Sequence, residues 1–100
     1  MEKRVAHYGL DEIKTLVRAR RASAFTGLAL REIDAMGLSL DQACQVLDGL
    51  TRSRLVKSMT TYADHRIWQD VYHAPCPNGK IAYIKLTLQD GAVVIQFKEK

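Results

Sequence analysis

The chain has 100 residues, of which 47% are hydrophobic and 26% charged, with a formal net charge of +4. These values fit one globular domain spanning residues 1–100, with no room for a second. They exclude wholesale disorder and collagen-like repeats, and no apolar run approaches the ~20 residues of a membrane-crossing helix.

The opening Met1-Glu2-Lys3-Arg4 lacks the apolar stretch of a signal peptide. A cytoplasmic protein without a membrane partner is therefore expected. Leu10, Ile13, Leu16 and Val17 then recur at helical spacing, with Asp11 and Glu12 early and Arg18, Arg20 and Arg21 late. That polarity complements a helix dipole. A second helix is predicted over residues 27–36, burying Ala29, Ile33 and Met36 and stopping at Gly37. A third begins at a capping box, Ser39 with Gln42, braced by a hydrophobic staple of Leu38 and Ala43. Ala43, Val46, Leu47 and Leu50 form its stripe, and Gly49 is expected to end it in the left-handed conformation.

From Leu55 the period becomes two and β-branched and aromatic residues increase. Strands are predicted near 55–61, 67–73, 80–88 and 92–98. Their connections are Ala63-Asp64-His65-Arg66, the Pro75–Gly79 turn and Asp90-Gly91. Asn-Gly and Asp-Gly signal tight hairpins, so an antiparallel meander is expected. The fold class is α+β, with three N-terminal helices packed on one face of that meander. Cys44 and Cys76 share no motif and are expected to be reduced.

Charge divides between the halves. Residues 1–50 hold seven basic and seven acidic side chains, and residues 51–100 hold eight basic and four acidic. An anionic partner should therefore meet the C-terminal half. Alternation gathers Tyr83 with Lys85 and Thr87, and Lys98 with Gln96 and Val94. It sets Lys57 beside Leu55 and Met59, and Gln69 beside Ile67 and Val71. With suitable register, Lys57, Gln69, Tyr83 and Lys98 meet on the face that the helices leave open, and an antiparallel sheet can keep one face wet.

Such a cluster suits a polyanion with a reactive phosphate. Cleaving RNA without metal needs a base near the 2′-OH, a donor for the leaving 5′-oxygen and cations for the developing charge. The lysines supply the last. Lys57 can act as a base only if like charges such as Lys85 and Lys98 lower its pKa. Tyr83 can donate, accept or stack, Gln69 can bind a phosphate or a base edge, and His65 is a further acid–base candidate. Which of Lys57, Tyr83 and His65 is base and which is acid stays open. His7, His73, Cys44 and Cys76 lack zinc-like spacing, so neither a metal nor another cofactor is expected. Trp68 and Tyr72 read as core or partner-contact residues. Two other classes remain: a non-catalytic nucleic-acid-binding regulator using the same basic face, and a module whose sheet docks another protein.

The stretch from Lys57 to Tyr72, KSMTTYADHRIWQDVY, resembles the signature of the MqsR toxins, the motility quorum-sensing regulators. The opening Met1–Arg4 and the closing Phe97–Lys100 resemble that family too. The resemblance implies a RelE-like toxin that cleaves mRNA with some sequence preference and is silenced by a cognate antitoxin of the MqsA type. It implies a catalytic set of Lys57, Gln69, Tyr83 and Lys98, with Lys85, Arg66 and His65 as further RNA-binding candidates. An edge strand, with Ala92–Lys98 as one candidate, would offer the antitoxin a template for strand addition.

Overall fold

The computed structural model describes residues 1–100. In chain order the elements are β1 (Glu2–Lys3), α1 (Leu10–Arg20), α2 (Gly27–Ala35), α3 (Leu40–Asp48), β2 (Leu55–Thr60), β3 (Trp68–Pro75), β4 (Ile81–Gln89) and β5 (Ala92–Glu99). Short 3₁₀ turns at Arg21–Ala24 and Arg52–Arg54 follow α1 and precede β2. The strands form one antiparallel sheet in the order β1-β2-β3-β4-β5. The α+β layout is as the sequence predicts, with one strand more.

Local chemistry sets the helix ends. Asp11 and Glu12 lie in the first turn of α1, and Arg18 and Arg20 in the last. Arg21 then takes a positive φ of 48°, and its guanidinium pairs with Asp41 in the first turn of α3. Thr26 caps α2 by accepting from the Ala29 N–H at 3.0 Å. At α3 both halves of the capping box form, Gln42 N–H to Ser39 Oγ at 3.1 Å and Ser39 N–H to Gln42 Oε1 at 2.9 Å. Gly37, at φ 80°, stops α2. Gly49 does not take the expected left-handed form. Its φ is −85°, and a right-handed turn in which Leu50 N–H reaches Leu47 O carries Leu50 into the core.

That core is a cluster of 22 buried residues between the helices and one sheet face. Tyr72 and Ala74 from β3, Ala82, Ile84 and Leu86 from β4, and Val93, Ile95 and Phe97 from β5 supply its sheet side. The β4–β5 hairpin turns through Asp90 and Gly91, both at positive φ, as a turn matched to strand twist requires.

Two features depart from simple alternation. β1 is an additional strand, pairing Glu2 with Met59 and Lys3 with Ser58. In β2 the register shifts between Leu55, opposite Tyr72, and Lys57, opposite Val71. Val56 is the extra residue of a β-bulge. Leu55 therefore packs toward the helices while Lys57 points to the open face, so the expected sharing of a face by these two fails. The strand at 92–99 does lie at the sheet edge. Its centre is already engaged, because Thr26 N–H donates to Ile95 O at 3.0 Å.

Candidate functional site

The open face is a grid whose rows are set by register. One row runs Lys57, Val71, Lys85, Gln96 across β2 to β5, and another runs His73, Tyr83, Lys98 across β3 to β5. Gln69 pairs with Met59, two positions along β3 from Val71. The structure thus puts Lys57, Gln69, Tyr83, Lys98 and Lys85 on one face, though not in a single tight knot. Lys57 and Tyr83 are two strands and two residues apart, about 12 Å between Cα atoms at ordinary sheet spacings. The natural centre of the grid is Val71. It is 1% exposed yet stands outside the core cluster. On this face, Lys57 and Lys85 flank it from the neighbouring strands, and their aliphatic stems can cover it while the ammoniums reach solvent.

Around Tyr83 the cations gather. Lys98 Nζ lies 5.2 Å and Lys85 Nζ 5.8 Å from its ring centroid, within the range of cation–π attraction. The His73 ring sits 5.5 Å away on the third side. Burial and the nearby Lys100 charge both push the His73 pKa below its ordinary value. By spacing, the sequence marks His73 only as a poor metal ligand. Its alternation with Gln69 and Val71 already put it on this face.

At the other end of the grid Lys57 Nζ donates to Glu2 Oε1 at 2.8 Å. That hydrogen bond and the charge behind it hold the Glu2 carboxyl below the usual carboxylate range. The sequence offered no sign of Glu2 as a neighbour of Lys57, because it depends on a two-residue strand without a period of its own. β1 is held from behind. Asp70, 1% exposed, accepts from the His7 N–H at 3.0 Å and the Tyr8 N–H at 2.9 Å. Tyr8 Oη donates to Trp68 O at 2.7 Å. Lys3 Nζ stands 4.2 Å over the Trp68 ring, and His7 stacks on that ring at 5.3 Å. Trp68 is therefore a structural anchor for the N-terminal segment.

Arg66 and His65 do not join the grid. Both lie in the loop from β2 to β3, beyond Thr60 and Trp68. The Arg66 guanidinium is occupied by Asp64, through Nε at 3.1 Å and an Nη at 3.1 Å, and His65 is exposed. No three His, Cys, Asp or Glu side chains come together as a metal-binding group. Cys44 and Cys76 are free thiols. No helix is long and apolar enough to cross a membrane.

Chemically, the grid offers several ammonium groups, a phenol, an amide and an imidazole over an apolar floor. It can hold a phosphodiester, neutralise added charge on it and stack or hydrogen-bond a base. Comparison with known proteins agrees with that capacity. A sequence profile of the family described as "Motility quorum-sensing regulator, toxin of MqsA" matches residues 5–99. One relative, from Escherichia coli strain K12, is the mRNA interferase toxin MqsR, 44% identical over 100 residues and covering 100% of both chains.

Proposed function

The chain belongs to the motility quorum-sensing regulator toxin family, and from that premise we propose how it works. It is an mRNA interferase, an endoribonuclease toxin of a toxin–antitoxin pair. We assign the chemistry to the open sheet face. A substrate phosphate sits over Val71, with Lys57 on one side and Lys85 and Lys98 on the other. The 2′-oxygen attacks phosphorus, the bond to the 5′-oxygen breaks, and the products carry a 2′,3′-cyclic phosphate and a 5′-hydroxyl. The 2′-OH proton passes to a base and the leaving oxygen takes one from an acid. We assign these two roles to Lys57 and Tyr83, because His65 lies off this face. The lysines stabilise the pentavalent charge, a task that a metal performs elsewhere. Gln69, beside Lys57, orients the strand. His65 and Arg66 act at most on flanking nucleotides.

The observation that carries this reading is the Lys57–Val71–Lys85 row next to Tyr83 and Lys98. The fold is proposed to be RelE-like, with the whole chain acting as one domain in the cytoplasm. The partner that silences it is proposed to be a cognate antitoxin of the MqsA type. Incubating the pure protein with a long RNA in EDTA tests the chemistry. Discrete fragments ending in 2′,3′-cyclic phosphate are expected. RNA that is bound but left intact would favour a non-catalytic regulator.

A further inference from the structure

The open face meets a hollow at each of its two sides. One is a groove of about 370 Å³ under α2, walled by Tyr83, Lys85, Gln96 and Lys98 from the sheet and by Glu32 from the helix. The other, of about 380 Å³, lies off the β2 edge and is lined by Arg4, Val5, Ala6, Arg52 and Leu55. It opens between the segment that follows β1 and the turn that precedes β2. Both volumes fall within the size range of small-ligand sites. Of the two, only the hollow off β2 has cations and no carboxylate in its wall.

The partners of the arginines set this hollow apart. Arg18, Arg21 and Arg66 are each paired with an aspartate, Asp48, Asp41 and Asp64. Arg4 and Arg52 are held by neutral oxygens instead. Arg4 Nη1 donates to Val56 O at 3.3 Å. Arg52 donates through Nη1 to Tyr72 Oη at 3.1 Å and through Nη2 to Tyr8 O at 3.3 Å. Such bonds fix a guanidinium without cancelling its charge, and they leave it further N–H donors. Both side chains are exposed. Beside them, Val5 is 65% exposed and offers an apolar wall.

The hollow adjoins the proposed cleavage site. Arg4 follows Lys3, the partner of Ser58, and so comes level with Lys57. The Glu2 carboxyl is held below its ordinary value chiefly by its hydrogen bond to Lys57, and Arg4 adds to the effect. Lys57 and Arg4 therefore act on the same carboxylate. Asp70, on the helix side, is engaged by the His7 and Tyr8 amides. A strand of RNA crossing the sheet along the Lys57–Val71–Lys85 row meets Arg4 next as it leaves over β2.

We propose that this hollow is a phosphate-binding subsite for RNA outside the cleaved bond, where Arg4 and Arg52 hold a backbone phosphate of a flanking nucleotide and Val5 lies against its sugar. A guanidinium fork matches phosphate oxygens in geometry as well as charge. The contact positions the strand and reads no base, since phosphates are alike in every sequence. The subsite rests on the reading of the open face as the RNA site and extends that site over the sheet edge.

The test is the affinity, across a range of salt, for two 2′-O-methylated, uncleavable RNAs. One is long, and the other spans only the open face. Parent, Arg4→Gln, Arg52→Gln and the double variant are compared. Arg20→Gln controls for net charge, because Arg20 is exposed at the end of α1 and makes no ion pair. Each substitution in the hollow should weaken the long RNA about two- to fivefold, the scale of an exposed charge pair, and the short RNA less. The double variant should lower the log–log salt slope for the long RNA by about 0.7, the value of one phosphate on a single strand. Thermal unfolding checks each fold. Arg4→Gln gives up a single bond to a backbone carbonyl, so it keeps the test decisive if Arg52→Gln unfolds. Unchanged affinity of Arg4→Gln for the long RNA, equal losses on both RNAs, or the same loss from Arg20→Gln overturns the subsite and spares the open face. A parent that binds neither RNA overturns both.

Discussion

Lys57 and Glu2 form a 2.8 Å ion pair on the face where a phosphate is proposed to bind. On that proposal, phosphate has to displace Glu2 from the ammonium. Exposed pairs of this kind are weak. The Glu2→Gln protein is accordingly predicted to bind a 2′-O-methylated, uncleavable RNA roughly one and a half- to fivefold more tightly. Titration would measure it, and unchanged or weaker binding would count against the competition. His73 makes a prediction about pH. Burial and Lys100 disfavour its imidazolium in the fold, against an ordinary value of 6.5. The unfolded chain therefore takes up this proton first as pH drops below about 6.5, and the stability contributed above that pH is lost on going down through the lower folded pKa. The unfolding temperature should fall between pH 7 and pH 5, and His73→Gln should reduce the slope. Parallel slopes for parent and variant would remove His73 as a contributor. Glu2, paired with Met59, reaches Lys57 on the diagonal, and His73 lies directly opposite Tyr83. Only the second was open to a count of alternate positions.

At the scale of elements, the capping box of α3, the stop at Gly37 and the Asp90-Gly91 hairpin were legible because each is chemistry within a few residues. The bulge at Val56 and the strand Glu2–Lys3 were not. Both depend on what lies across the sheet, since Leu55 is drawn to the core while Lys57 stays in solvent, and β1 pairs with β2 where β3 ties down the residues that follow it. That tie is the Asp70 carboxylate, buried behind β3 and holding the His7 and Tyr8 amides. Asp70→Asn should cost about 1.5–3 kcal/mol, the range for hydrogen bonds to a charged group. Denaturant unfolding would measure the loss, and faster hydrogen exchange at His7 and Tyr8 would locate it. A variant with parental stability and protection would show that the strand pairing, the Trp68 contacts and the other ties hold the N-terminal segment without Asp70. α2 settles against β5 for a similarly non-local reason, the capture of the Ile95 carbonyl by Thr26. That capture also limits any strand added at this edge to the residues on either side.

Across the whole molecule, the net charge of +4 resides in the half that builds the sheet, and the helices cover the face that the lysines avoid. Charge distribution and alternation together make the open face legible in the sequence, including Lys57, Gln69, Tyr83 and Lys98 as a set. Their spacing was not legible, because strand order and register are properties of the assembled sheet. The result is an extended basic face around Val71, where the phosphate is proposed to bind, bordered at one end by Glu2 and at the other by the groove under α2. The central claim is that this face cleaves RNA with lysines in place of a metal. Cleavage rates of one RNA in EDTA by the parent and by Lys57→Ala, with unfolding of both followed in parallel, test it most directly. The variant should keep its stability within about 0.5 kcal/mol, as substitutions on an open surface usually do, and lose cleavage. A Lys57→Ala protein that is equally stable and cuts at the parental rate would contradict the account.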